Sequence, residues 1–231
     1  MKCTRKSKRI IEICIKKSKI ITFATHMAKD KLARFAAIKT FQNVLEYERN
    51  QAFPMRGNWN RDFFRNENPI SLELGCGKGE YTVGLARLFP NKNFLGLDIK
   101  GNRMFIGARD ALQNQLENVG FLRTRIDFVE SLFGPQEIDE IWLTFSDPQP
   151  QKPKKRLSSA LFIERYRKFL KPGGIVHMKT DNDLLFDFTM EQIETNGYQI
   201  IDYRPDLYLS ITTEQDPLLL KIFSKIGRAH V

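Results

Sequence analysis

Cysteine is scarce in this 231-residue chain: Cys3, Cys14 and Cys76 are too few and too scattered for a disulfide framework or a zinc site. Long apolar runs are missing too. None reaches the roughly 18 residues that would cross a bilayer, so no membrane partner is expected. Residues 1–26 are basic, but Lys16, Lys17 and Lys19 interrupt their apolar stretches and no small-residue cleavage pattern follows, which argues against a secretory signal. Internal repeats and low-complexity segments are absent. Together these absences point to a reducing cytoplasm and a metal-free site, with 42% hydrophobic residues enough for one globular domain with appendages.

Positive charge is plentiful but uneven. Of the net +10, residues 1–26 supply seven charges, through eight basic residues against Glu12 alone. The rest of the chain is only mildly basic, so any polyanionic partner must be read from local clusters. The lysine- and isoleucine-rich texture changes at Met27, and residues 1–26 are read as a non-native or disordered basic extension, with a genuine RNA-binding tail as the alternative. Residues 27–225 are expected to form a single domain with a basic N-terminal arm around Lys29, Lys31 and Arg34. Residues 226–231 match a translated sequencing adapter, and the natural C-terminus is expected to be missing.

Within the domain, strand and helix patterns alternate. Expected strands are Ile70–Leu74, Asn93–Leu97, Val119–Leu122, Ile138–Phe145 and Ile175–Met178. Expected helices are Glu80–Phe89, Asn102–Glu117, Ser158–Leu170 and Asn182–Asn196, with a short one over Phe128–Phe133 and an antiparallel edge pair over Tyr198–Phe223. The pattern implies an α/β, Rossmann-like, mostly parallel twisted sheet with helices on both faces, and ligands beyond the carboxyl ends of the strands.

At the first of those ends stands Glu73-Leu74-Gly75-Cys76-Gly77-Lys78-Gly79. Glycines permit positive φ and remove the Cβ atoms that would hold a ligand off the backbone. The third glycine comes one residue earlier than in the dinucleotide pattern G-x-G-x-x-G, and Glu73 would repel a phosphate while suiting an ammonium or sulfonium group. That combination reads as a loop for S-adenosylmethionine. Asp98, Asp127, Asp147 and Asp181 each fall at or just past a further strand. Asp98 is placed to accept from ribose hydroxyls and Asp127 from an adenine amino group.

Phe145-Ser146-Asp147-Pro148-Gln149-Pro150 precedes a basic cluster of Lys152, Lys154, Lys155 and Arg156, which Arg123 and Arg125 are expected to extend. Phe145 and Trp142 read as core residues of a buried strand. With Phe53–Trp59, the glycine loop and His177–Asp181, this motif makes the chain resemble the bacterial tRNA (guanine-N7)-methyltransferases, from about Met27 to at least Tyr208. The resemblance implies methyl transfer from S-adenosylmethionine to a guanine N7 in the tRNA variable loop, within a class I methyltransferase fold. It implies cofactor contacts at Glu73, Asp98, Asp127 and Asp147, beside the reading of Gly75 and Gly77 as the loop itself, and makes Asp147 the catalytic residue. Substrate contacts are implied at Asp181, at Gln151 by counting with Lys152 as its stand-in, and at Thr213 in a Thr-x-x-acid motif. The family more commonly has tryptophan at the position of Gln149. Two other readings are weighed: methylation of an exocyclic amine on another RNA base, for which Gln149 and Pro150 provide no aromatic platform, and a non-catalytic RNA-binding protein on the same fold. Oligomeric state is not readable from the chain.

Overall fold

The computed structural model describes residues 31–203. Residues 31–38 are helical (α1). The strands are β1 Val44–Glu46, β2 Ile70–Leu74, β3 Asn93–Asp98, β4 Val119–Arg123, β5 Ile138–Thr144 and β6 Leu170–Lys179. Between them lie α2 Glu80–Leu88, α3 Gly101–Gln113, α4 Ala160–Tyr166 and, after β6, α5 Asp183–Asn196. A π-helical segment, Trp59–Phe64, leads into β2, and tight 3-10 turns cover Ile126–Ser131 and Pro153–Lys155.

The six strands lie in the order β1-β4-β3-β2-β5-β6, and every neighbouring pair is parallel. The chain steps outward through β2, β3 and β4, then crosses back to lay β5 against the other side of β2. That reversal opens a crevice beyond the carboxyl ends of β2 and β5, where a doubly wound sheet takes its ligands.

Both faces of the sheet are covered, which is why β2 is buried along its whole length. Leu72, Leu74, Leu95, Leu97 and Leu122 point to one side and pack with Trp59, Phe133, Phe162 and Tyr166. Phe94, Val119 and Phe121 point to the other and pack with Tyr81, Leu85, Met104 and Ala108 of α2 and α3. The second face also carries the alternate positions of β2, Ser71 and Glu73. A buried carboxylate therefore sits beneath α2.

The Phe53–Trp59 motif holds the fold rather than the crevice. Trp59 is fully buried and its Nε1 donates to the Leu132 carbonyl, while Arg56 Nε donates to the Phe133 carbonyl. Glu137, just before β5, accepts the backbone N–H groups of Gly57, Trp59 and Gly134 at 2.8, 2.9 and 2.6 Å. Glu137→Ala strips three main-chain donors of their acceptor and is expected to cost on the order of 3 kcal/mol. Thermal unfolding checks this, with a fall in Tm of roughly 6–12 °C.

Two expectations need correction. The strand expected over Ile175–Met178 begins earlier, at Leu170: the Pro172-Gly173-Gly174 segment lies inside β6 as an irregularity, where the pairing with β5 jumps from Leu170 opposite Ile138 to Ile175 opposite Glu140. No antiparallel pairing occurs among the described residues: residues 198–203 form no strand, and the remainder of the expected pair, with Thr213, lies outside them.

Candidate functional site

The glycine loop turns sharply from β2 into α2. Gly75, Gly77 and Gly79 all have positive φ, at 82°, 56° and 75°. The N–H groups of Gly75 and Cys76 both donate to the Leu97 carbonyl, pinning the loop to the end of β3. Behind the loop space is tight. A Cβ on Gly79 would stand 2.7 Å from the Phe121 ring, and one on Gly107 of α3 only 2.5 Å from the Lys78 carbonyl. In front of it space is open, since a Cβ on Gly75 or Gly77 would meet nothing within 4 Å.

Carboxylates line that opening. Asp98 closes β3, with Oδ2 accepting from Gly77 N at 2.9 Å and Oδ1 from Lys100 N at 2.8 Å. Each oxygen keeps acceptor capacity beyond these bonds. Glu73 lies deeper, only 5% exposed, with Oε2 accepting from the amide and hydroxyl of Thr82 and Oε1 from the hydroxyl of Thr144. Burial pushes its carboxyl up to about 7 against the pull of those hydrogen bonds, and the Asp98 charge adds to the rise. Cys76 is buried beside both acids; desolvation first and their charges second push its thiol well up, which keeps it unreactive.

On the other strands, register brings the same rim together. Trp142 pairs with Glu73, Arg123 with Asp98, and Thr144 with Lys179. Asp127, in the turn after β4, is paired with Arg125 at 3.1 Å and lies 3.9 Å from Arg165. Asp147, three residues beyond β5, is exposed and accepts the Gln149 N–H at 3.0 Å, its one hydrogen bond among the described residues. Asp181 stands two residues past the end of β6 and is exposed.

The polar side chains of the loop after Asp147 divide into two kinds. Gln151, Lys152, Lys154 and Lys155 face solvent. Arg156, grouped with them on sequence, is instead buried: its Nε donates to the Pro148 carbonyl at 2.7 Å and its guanidinium lies 4.4 Å from the Phe188 ring of α5. It fixes the Asp147-Pro148 turn rather than facing a partner. Arg123 is likewise engaged, pairing with Glu46 at 2.8 Å and lying over Phe35.

Phe145 also departs from its expected place in the core. β5 ends at Thr144, and Phe145 adopts a left-handed backbone, φ 49°, that turns its ring out to 42% exposure. It meets Tyr81 edge-on at 6.4 Å, with the Lys179 ammonium 5.3 Å from its centroid. Trp142 stays half-buried, stacked on His177 at 4.1 Å. Partial burial pulls Lys179 down to about 8, opposed by Asp181. Lys179, Tyr81, Thr82 and Thr144 were not singled out from sequence, although period-two spacing places Thr144 on the Glu140 and Trp142 face of β5.

An open, glycine-floored crevice walled by carboxylates fits a cationic ligand bearing ribose hydroxyls and disfavours a phosphate. The described residues contain no cluster of three or more metal-ligating side chains and no helix long and apolar enough to cross a membrane.

Comparison with known proteins agrees. Residues 67–219 match the family model described as "Putative methyltransferase". A tRNA (guanine-N(7)-)-methyltransferase of Bacteroides thetaiotaomicron is 52% identical over 188 residues, 80% of this chain and 75% of that protein. Proteins of the same description from Porphyromonas gingivalis and Cytophaga hutchinsonii are 44% and 41% identical, covering 80% and 84% of this chain and 79% and 86% of their own lengths.

Proposed function

The chain belongs to the tRNA (guanine-N7)-methyltransferase family, and from that premise we propose that the rim of Glu73, Asp98, Asp127 and Asp147 is where the methyl donor and the target guanine meet. The reaction is transfer of a methyl group from S-adenosylmethionine to guanine N7 in tRNA. This supersedes the exocyclic-amine and non-catalytic readings. The site assignment is carried by one observation: Asp98 holds the Gly77 amide at 2.9 Å, tying a ribose-type carboxylate to the floor of an open glycine loop.

In its bound state the donor supplies an electrophilic methyl group on a sulfonium. Gly75 and Gly77 admit it to the backbone, Asp98 accepts from its ribose hydroxyls, Asp127 lies toward its adenine, and Glu73 provides negative potential beneath its amino-acid end. Guanine N7 has an in-plane lone pair and no proton to lose, so the protein needs alignment rather than a strong base. Asp147 offsets the positive charge that grows on the base as N7 is alkylated. Gln151 or Lys152 and Asp181 hold the substrate beside it, while Lys154 and Lys155 neutralise phosphates. The target is a guanine of the variable loop. Incubation with labelled S-adenosylmethionine and unmodified tRNA, then borohydride and aniline cleavage, is expected to cut that loop; label without a cut there would refute this target.

Glu73 gives this reading a pH signature. Its folded pKa, about 7, lies above the ordinary 4.5, so the folded protein holds a proton that the unfolded chain has released. Stability contributed by that group is complete below about pH 4.5 and falls as pH rises through about 7. A bound cation favours the ionised carboxylate, so donor affinity is expected to rise over the same window. Calorimetry at several pH values checks this, and Glu73→Gln should flatten both trends.

A further inference from the structure

Phe145 stands where a large side chain is at a disadvantage. A left-handed backbone suits glycine or asparagine, and a bulky residue there is an outlier that persists when its surroundings hold it. Burial does not compensate, since 42% of the residue remains exposed. What holds it is specific: its N–H donates to the Lys179 carbonyl at 2.8 Å, Tyr81 meets its ring edge-on, and Lys179 lies toward the same ring. Directly before it, Thr144 bonds Glu73; two residues after it stands Asp147 in a turn anchored by Arg156. The strand thus ends by presenting a fixed aromatic surface at the mouth of the crevice.

We propose that the exposed surface of the Phe145 ring is the platform on which the target guanine stacks, an inference that rests on the site reading above. An unpaired base is held by its π-face, for which a rigid aromatic ring is the natural partner. Alkylation at N7 also converts a neutral base into a cation, and the negative face of an aromatic ring attracts a cation more than a neutral base. Stacking on Phe145 therefore strengthens along the reaction coordinate. Because the ring is already ordered by Tyr81 and Lys179, little freedom is lost when the base arrives.

The test uses two variants and two readouts. Phe145→Leu keeps an apolar side chain but removes the π-face, and is expected to lower kcat/KM for tRNA by about 10- to 100-fold with donor affinity unchanged by calorimetry. Phe145→Trp keeps the platform: its activity stays within a few-fold of the parent, and its emission, compared with the parent protein, is quenched more by tRNA carrying N7-methylguanine than by unmodified tRNA. A Phe145→Leu enzyme of normal kcat/KM, or Phe145→Trp emission indifferent to the methyl group, would overturn the proposal. Asp147→Ala run in parallel separates the two levels of inference. Loss with Asp147→Ala alone removes the stacking role and leaves the site standing, whereas loss with neither variant puts the reaction elsewhere on the protein.

Discussion

Asp147→Ala is expected to slow methyl transfer by about 100- to 1000-fold, the range seen when one preorganised electrostatic partner of a transition state is removed. The fold should scarcely notice. Asp147 is exposed and its hydrogen bond is local, to the amide of Gln149 two residues on. The turn it occupies is held independently by Arg156, through the Pro148 carbonyl and the Phe188 ring. Loss of an exposed side chain away from the core typically shifts stability by no more than about 0.5 kcal/mol. Asp147→Asn refines the test, because the amide oxygen can still accept from Gln149 while the negative charge is gone. If charge opposite the alkylating guanine is what matters, the Asn enzyme resembles the Ala enzyme in kcat and differs from it only in loop order. Single-turnover rates and Tm values for both variants decide the matter.

Gly79→Ala is expected to produce the largest loss of stability of any single methyl added to the loop. Two penalties coincide there. The residue must hold φ at 75°, which costs an L side chain about 1–2 kcal/mol. The new Cβ would also stand 2.7 Å from the buried Phe121 ring, with the Gly107 Cα at 3.5 Å behind it. Forcing a methyl into such packing typically costs about 1–3 kcal/mol more. Relief by retreat of the loop would drag the Gly77 amide off Asp98, so donor binding falls with stability. Gly77→Ala provides the contrast: its Cβ meets no protein atom, so the stability loss is limited to the φ term. Its methyl instead intrudes on the space assigned to the ligand. Denaturant unfolding and donor titration together should show Gly79→Ala losing both properties and Gly77→Ala losing mainly affinity.

Much of this arrangement could be read along the chain. Ile70–Leu74 is a short apolar run broken only by Ser71 and Glu73 and bounded by Pro69 and Gly75, and β2 begins and ends where that run does. Acids at successive strand ends were legible for the same reason, since parallel topology gathers such ends on one rim. What escaped depends on single backbone angles and on distant partners. Nothing local tells that β5 stops at Thr144 and that Phe145 turns left-handed, because alternation through Ile141, Leu143 and Phe145 continues the core pattern. Arg156 looks like its lysine neighbours until Phe188 and the Pro148 carbonyl, far apart in sequence, converge on it. The three-residue β1 is too short to carry a period, and its pairing with β4 follows from the fold alone. Glu73 is legible as an acid at a strand end, yet its ties to Thr82 and Thr144 required the helix and a second strand to be in place.

A crystal structure with S-adenosylhomocysteine bound tests the central claim most directly. The account predicts ribose hydroxyls on the Asp98 carboxylate, the amino-acid end over Gly75 and Gly77 above Glu73, adenine toward Asp127, and the sulfur facing Asp147. A ligand seated away from the crevice between β2 and β5, or one leaving Asp98 bonded only to Gly77 and Lys100, would contradict it.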